Sequence, residues 1–124
     1  MAKLSEAVKN AIAGQEVFPV ATSHRDGTPN VVYIKYLKVV DDETVLLADN
    51  YLSKTRDNIL ANGKIAFVVL DEEKGSFQVK GTARRLTEGP LFDHMRQWVP
   101  DRLPRVAAVV MQVEDVYNGA DHLT

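Results

Sequence analysis

The sequence contains no cysteine. That one absence removes disulfides, thiolate metal sites and cysteine nucleophiles together. It also lacks any run near the ~18 apolar residues of a membrane span, and the N-terminal "MAKLSEAVKNAIAG" has no cleavable apolar core. A cytoplasmic location is the expectation. There is no excess of positive charge: 15 Lys and Arg against 17 Asp and Glu leave a net −2, with a pI near 5.9. The molecule as a whole is therefore no counter-ion for nucleic acid or anionic lipid, and any anion it binds must be caught by a local constellation. The histidines, His24, His94 and His122, fall in a turn, a helix and a tail without ligand-like spacing, so no metal site is expected. A G-x-S-x-G elbow, a P-loop and G-x-G-x-x-G are all missing, which leaves hydrolase, nucleotidase and dinucleotide-fold readings without support.

What is present is ordinary in kind. With 124 residues, 45% hydrophobic and 26% charged, the chain predicts a single domain over residues 1–124. Folding should bury roughly two-thirds of its unfolded surface. Residues 4–13 place Leu4, Ala7, Val8, Ala11 and Ile12 on one helical face, with Gly14 as the stop. "EVFPVATSH" reads as a strand whose Pro19 implies an edge or bulge, and Asp26-Gly27 signals a hairpin turn. "NVVYIKYLKVV" reads as one long second strand and "TVLLAD" as a third. A helix from about Ser53 to Asn62 follows, then "KIAFVVL" and "SFQVKGTARRL" as strands four and five. "TEGPLFDHMRQWV" makes a third helix with Thr87 or Glu88 fixing its start, "RVAAVVMQVEDV" the sixth strand, and residues from about 117 a loose tail.

Strand five alternates cleanly, with Phe77, Val79, Gly81 and Ala83 opposite Gln78, Lys80, Thr82 and Arg84. The others do not: Val31-Val32, Val45-Leu46-Leu47, Val68-Val69-Leu70 and Val106 through Met111 are apolar on both faces. Doubly buried strands usually mean a parallel sheet, but the short turns favour antiparallel pairing. The expected fold is mainly β with short helices (α+β), a small antiparallel barrel whose interior takes one face of each strand. Three short helices cannot cover the whole outer face, which points to a second subunit. A monomeric α+β sandwich is the alternative.

The helix at "NYLSKTRDNIL" poses a question of charge. Lys54 and Arg56 stand in its first turn, where the macrodipole is already positive and acidic residues are favoured. Ser53 is the N-cap candidate, with Arg56 where a capping box would hold an acid. An anion here would meet free backbone amides, the Ser53 and Thr55 hydroxyls and the Lys54 ammonium. Each charge-assisted hydrogen bond is worth about 1.5–3 kcal/mol, far above the few tenths that the placement costs. The alternative is that both cations extend into water, with Asp57 beside them.

The stretches "DGTPN", "ADNYLSKTRDNI" and "VKGTARRLTEGP", in that order and spacing, resemble the pyridoxamine 5′-phosphate oxidase-like, FMN-binding split-barrel family. The likeness runs from about Val17 to Val116 and is strongest to the short FMN-binding members. It implies a six-stranded antiparallel split β-barrel and a homodimer with FMN at the subunit interface. It places the FMN phosphate on Lys54 and Thr55 with Ser53 beside them, and the ribityl chain and ring edge on Ala48, Asp49 and Asn50. Val31, Val32 and Tyr33 would lie along the isoalloxazine, and Gln78 would reach it from the second subunit, with Lys80 the weaker candidate. Residue chemistry alone would leave Tyr33 and Tyr36 as core aromatics, Trp98 as packing against the barrel and Gln78 as a solvent-facing residue.

FMN would bring the redox chemistry, and no separate catalytic acid or base is legible. The name-giving oxidase draws part of its substrate set from a C-terminal segment with Arg and His. Only His122 answers to it here, so pyridoxamine oxidation itself is not expected. A flavin-dependent oxidoreductase acting on a small planar substrate is the first reading. A non-catalytic FMN-binding or electron-transfer protein is the alternative, and a deazaflavin is a conceivable replacement for FMN. A third reading, an oligonucleotide-binding barrel stacking bases on Tyr33 and Tyr36 beside Lys35, is opposed by the acidic balance.

Overall fold

The computed structural model describes residues 2–124. Eight strands and three helices follow in the order α1 (Glu6–Ala13), β1 (Phe18–Ser23), β2 (Pro29–Ile34), β3 (Leu37–Asp41), β4 (Thr44–Asp49), α2 (Lys54–Asn62), β5 (Lys64–Asp71), β6 (Gly75–Leu86), α3 (Pro90–Trp98), β7 (Ala107–Asn118) and β8 (Asp121–His122). No helix among the described residues is long and apolar enough to cross a membrane.

All strand pairs are antiparallel, and the hydrogen-bonded order is β2-β1-β5-β6-β7-β4-β3, with β8 paired to β7. The two ends of this order, β2 and β3, are joined by Lys35 and Tyr36 alone. Such a link spans about 10 Å at most, so the sheet curls until its two edges meet. The expected single second strand is thus two. Its first half pairs with β1 and its second with β4, and the chain bends between them, where Tyr36 accepts from the Ala48 amide at 3.0 Å. The sheet therefore has seven long strands rather than six, plus the two-residue β8.

Pro19 fits because the β1–β5 ladder begins at Val20, leaving no bond on that side for a missing amide. The tail is not loose. β7 runs to Asn118, Gly119 (φ 58°) turns the chain, and Val116 exchanges backbone bonds with Leu123 and Thr124. His122 stacks on Tyr117 with ring centroids 4.6 Å apart, and its Nε2 lies 3.0 Å from an Asp115 carboxylate oxygen.

The interior is filled by Phe18, Val20, Phe67, Val69, Phe77, Val79 and their neighbours, with Leu4, Val8 and Ile12 of α1 packed against them. Ser5 caps α1 by accepting from the Val8 amide. A second core explains the strands that are apolar on both faces. Leu46 and Ala48 of β4 and Ala108 and Val110 of β7 turn outward under α3, where Met95 and Val99 bury them. Neither Thr87 nor Glu88 caps α3. Gly89 (φ 98°) holds the N-cap position and Pro90 opens the first turn, a geometry that a side-chain cap would not reach.

Two surface carboxyls carry hydrogen bonds that favour ionisation. The Thr28 backbone amide, donating at 2.9 Å, is the first cause that lowers Asp26 from 3.8 to about 2. The Lys9 ammonium, 2.6 Å away, lowers Asp42 and is itself raised. Both folded values lie below the unfolded ones, so the stability they contribute is present above the unfolded value of 3.8 and is lost as pH falls through the folded values, about 2 for Asp26. The thermal midpoint should fall across that window, and an Asp26→Asn, Asp42→Asn variant should show a shallower fall. Equal slopes would contradict the assignment.

Candidate functional site

The chain turns from β4 into α2 through Asn50–Ser53. Asp49 directs the turn: it is 1% exposed, one carboxylate oxygen accepts from the Leu52 amide at 3.1 Å, and the other accepts from Arg85 Nε at 3.0 Å. Ser53 takes the N-cap position, but with φ −125° and ψ −84° its hydroxyl makes no cap bond, contrary to expectation. The first intrahelical bond runs from the Asp57 amide to the Ser53 carbonyl. The amides of Lys54, Thr55 and Arg56 are consequently left without intrahelical acceptors.

Arg56 leans away toward Asp57, 3.4 Å from its carboxylate, while exposed Lys54 makes no ion pair among the described residues. Thr55 is 2% exposed and its hydroxyl oxygen accepts from Asn30 Nδ2 at 3.0 Å. The same Asn30 amide donates to Thr22 Oγ1 at 3.2 Å, and Asn58 Nδ2 donates to that oxygen at 3.0 Å. This buried knot rivets α2 to the β1–β2 hairpin and leaves the Thr55 O–H proton to be donated elsewhere. The corner therefore gathers a free cation, unsatisfied amides and the exposed Ser53 hydroxyl, with the uncommitted Thr55 O–H beneath them. This donor set suits a dianion such as a phosphate monoester.

Beside the corner lies a cleft of about 380 Å³ whose lining includes Tyr33, Tyr36, Ala48, Asn50, Tyr51 and Arg102, together with Ile34, Lys35, Leu52 and Leu103. No carboxylate and no histidine lines it. Of the residues singled out in the sequence, Tyr33, Ala48 and Asn50 meet in this cleft, and Ser53, Lys54 and Thr55 form the adjoining corner. Tyr33 is 76% exposed, so it does not fill the core. Val31 is also exposed on the outer face of β2, whereas Val32 turns inward and packs on the barrel core.

The Asp49 carboxylate is occupied by Leu52 and Arg85 and offers a ligand little. Gln78 lies elsewhere. Val31 pairs with Ala21, Ala21 with Ala66, and Ala66 with Lys80, which puts β6 about 14 Å from β2 across three strand spacings. Gln78 stands two residues along from Lys80 on that outer face, opposite Val68.

Sequence reasoning missed Tyr51, Arg102 and Leu103 in the cleft and the knot of Thr22, Asn30 and Asn58. Tyr51 sat within a motif already singled out. Nothing in "PDRLP" marks Arg102, which arrives through the long return from α3. Tyr36 lines the cleft and packs edge-on against Trp98, with centroids 5.7 Å apart.

Comparison with known proteins bears on the family and the fold. An uncharacterised protein of Methanocaldococcus jannaschii is 36% identical over 94% of this chain and 80% of its own. Among solved structures, HupZ of Group A Streptococcus superposes with a TM-score of 0.87 at 28% identity, covering 98% of each chain. An FMN-binding protein of Syntrophomonas wolfei gives 0.71 at 21% identity, over 90% of this chain and 83% of that one. HutZ of Vibrio cholerae, described as a haem storage protein, gives 0.68 at 14% identity over 94% of each. The last two likenesses concern the fold alone. A family model described as pyridoxamine 5′-phosphate oxidase matches residues 4–119. With a match over nearly its whole length, this chain belongs to the pyridoxamine 5′-phosphate oxidase family.

Proposed function

We propose that the protein binds FMN as a homodimer, with the cofactor between subunits, and uses it as a flavin-dependent oxidoreductase on a small planar substrate. The observation that carries the reading is the start of α2: an uncapped first turn and an unpaired Lys54 beside an acid-free cleft. Lys54, the first-turn amides and the Ser53 and Thr55 hydroxyls would hold the phosphate. Ala48, Asn50 and the β2 segment Val31–Tyr33 would flank the ring. Bound flavin would supply reversible uptake of electrons or hydride. The chain supplies orientation, access and electrostatics.

The dimer rests on the outer face of β2, β1 and β5. α3 covers the outside of β4 and β7 but not this face, where Val31 and Leu70 are 65% and 75% exposed beside Tyr33, Ala21 and Val68. Exposed apolar residues on one face of this kind support association there. Docking two copies there would bring Gln78 of the partner subunit toward a cofactor that this chain's own Gln78 cannot approach.

The haem role named for the Vibrio neighbour would be served best by a histidine ligand, and the histidines stand away from the cleft. His24 sits in the β1–β2 turn against Asp26, His94 beside Lys38, and His122 on Tyr117.

Purification tests the reading. The protein should be yellow, sediment as a dimer and hold one FMN per chain. It should pass electrons from a nicotinamide donor to quinone or azo-dye acceptors. A colourless monomer indifferent to added FMN would overturn the proposal. Tight FMN binding without turnover under any donor would leave a flavin carrier instead.

A further inference from the structure

The described residues include one non-glycine with positive φ, Arg105 at 48°. Single left-handed residues of this kind are strained and persist where their surroundings hold them. Here the surroundings are identifiable. The Arg105 amide donates to Asn50 Oδ1 at 2.9 Å, the next amide, of Val106, donates to the Asp49 carbonyl at 2.9 Å, and Arg105 Nη1 donates to the Arg96 carbonyl at 2.8 Å. Arg105 Nε is buried without a partner, so the guanidinium's hydrogen bonding is met only in part, through Nη1. The backbone is what this conformation serves.

Its consequence falls on Asn50. An amide N–H can donate only to the carbonyl oxygen of an asparagine side chain, so the Arg105 contact decides which way the Asn50 amide faces. With Oδ1 engaged, the NH2 group is the free end. Asn50 lines the cleft, and its Nδ2 has no partner among the described residues, yet is not sealed from solvent. An asparagine free to flip would present a donor or an acceptor. This one presents a donor only.

We infer that the strained Arg105 backbone is a positioning device that locks Asn50 as a hydrogen-bond donor into the cleft, selecting a ligand ring edge that offers an acceptor. This rests on the FMN reading. The oxidised isoalloxazine has acceptors along its polar edge, and a fixed donor there favours electron density arriving on the ring.

Two variants and one direct observation test it. Asn50→Asp keeps an oxygen for the Arg105 amide and replaces the donor by a carboxylate. FMN should bind at least tenfold more weakly, the flavin spectrum should shift, and the midpoint potential should become more negative. Arg105→Gly keeps the amide and tolerates this φ without the guanidinium, so its loss of FMN affinity should be smaller than that of Asn50→Asp. In the unsubstituted protein, the Asn50 side-chain NH2 resonances should move downfield on adding FMN, a readout that needs no variant to fold.

If Asn50→Asp matches the parent in affinity, spectrum and potential, or the resonances do not move, the inference is overturned while FMN binding stands. An equal loss in Arg105→Gly and Asn50→Asp would overturn the backbone account in favour of the guanidinium. Failure of the unsubstituted protein to bind FMN would instead remove the underlying reading.

Discussion

Replacing Lys54 with alanine should lower FMN affinity by about ten- to hundredfold while leaving the ligand-free protein as stable as before or slightly more so. The two effects have opposite signs for one reason. Without ligand, the Lys54 ammonium sits exposed at the positive end of α2 and makes no ion pair among the described residues, an arrangement that costs a few tenths of a kcal/mol. Alanine removes that repulsion and has the better helix propensity. With phosphate present, the same ammonium makes charge-assisted hydrogen bonds worth about 1.5–3 kcal/mol, which convert to the stated loss of affinity. Arg56 should not compensate, because it leans on Asp57. A titration followed by flavin fluorescence, paired with thermal unfolding of the ligand-free protein, reads both. Undiminished flavin retention in the variant would count against the corner as the phosphate site.

Replacing Gly81 with alanine should be the most damaging single methyl in the sheet. Between β6 and β7 the register shifts: Lys80 pairs with Asp115 and Gly81 with Val113, which leaves Glu114 as the extra residue of a bulge. The strands crowd at that point. A Cβ on Gly81 would lie 2.0 Å from the Gln112 carbonyl oxygen and 3.1 Å from Met111 Cε. The methionine can move, but the carbonyl belongs to the ladder. Overpacking a core typically costs about 1–3 kcal/mol, and a clash with backbone belongs at the top of that range or above. At roughly 4 °C per kcal/mol for a chain of this size, the thermal midpoint should drop by about 10 °C or more. A midpoint within 2 °C of the parent would show that the sheet yields there more easily than its geometry implies.

The barrel was legible in the sequence wherever one local signal decided the matter. β6 alternates strictly, and its buried Phe77, Val79, Gly81 and Ala83 face inward accordingly. Asp26-Gly27 made the first hairpin, and the cationic "SKTR" marked α2. Two features were not local. Lys35-Tyr36 has no breaker residue, because the bend there comes from closing the sheet: β2 and β3 bond to strands far apart in the order. The tail looked loose because "YNGADHLT" is short, mostly polar and broken by Gly119, and its pairing depends on β7 having an unused edge.

At the site, the sequence pointed to groups by type but not by use. Asp49, expected to line a ligand, is spent on Leu52 and Arg85, a fact fixed by Arg85 of β6 reaching across β7 to the end of β4. Asn30 and Asn58 lay inside stretches already singled out, but nothing local gave them a use: their meeting on Thr22 and Thr55 depends on α2 folding over the β1–β2 hairpin. Arg102 came from a loop with no pattern of its own, and Arg105, expected to open the sixth strand, lies just before β7, which begins at Ala107.

The central claim is that the start of α2 recognises the phosphate of a flavin nucleotide. The measurement that tests it most directly compares FMN with riboflavin on the unsubstituted protein by calorimetric titration. The two ligands share the ring and ribityl chain and differ only in the dianion. FMN should bind at least about a hundredfold more tightly, matching two or more charge-assisted hydrogen bonds, and the advantage should shrink as salt rises. Equal affinities for the two would mean that the Ser53–Thr55 corner plays no part in holding the cofactor.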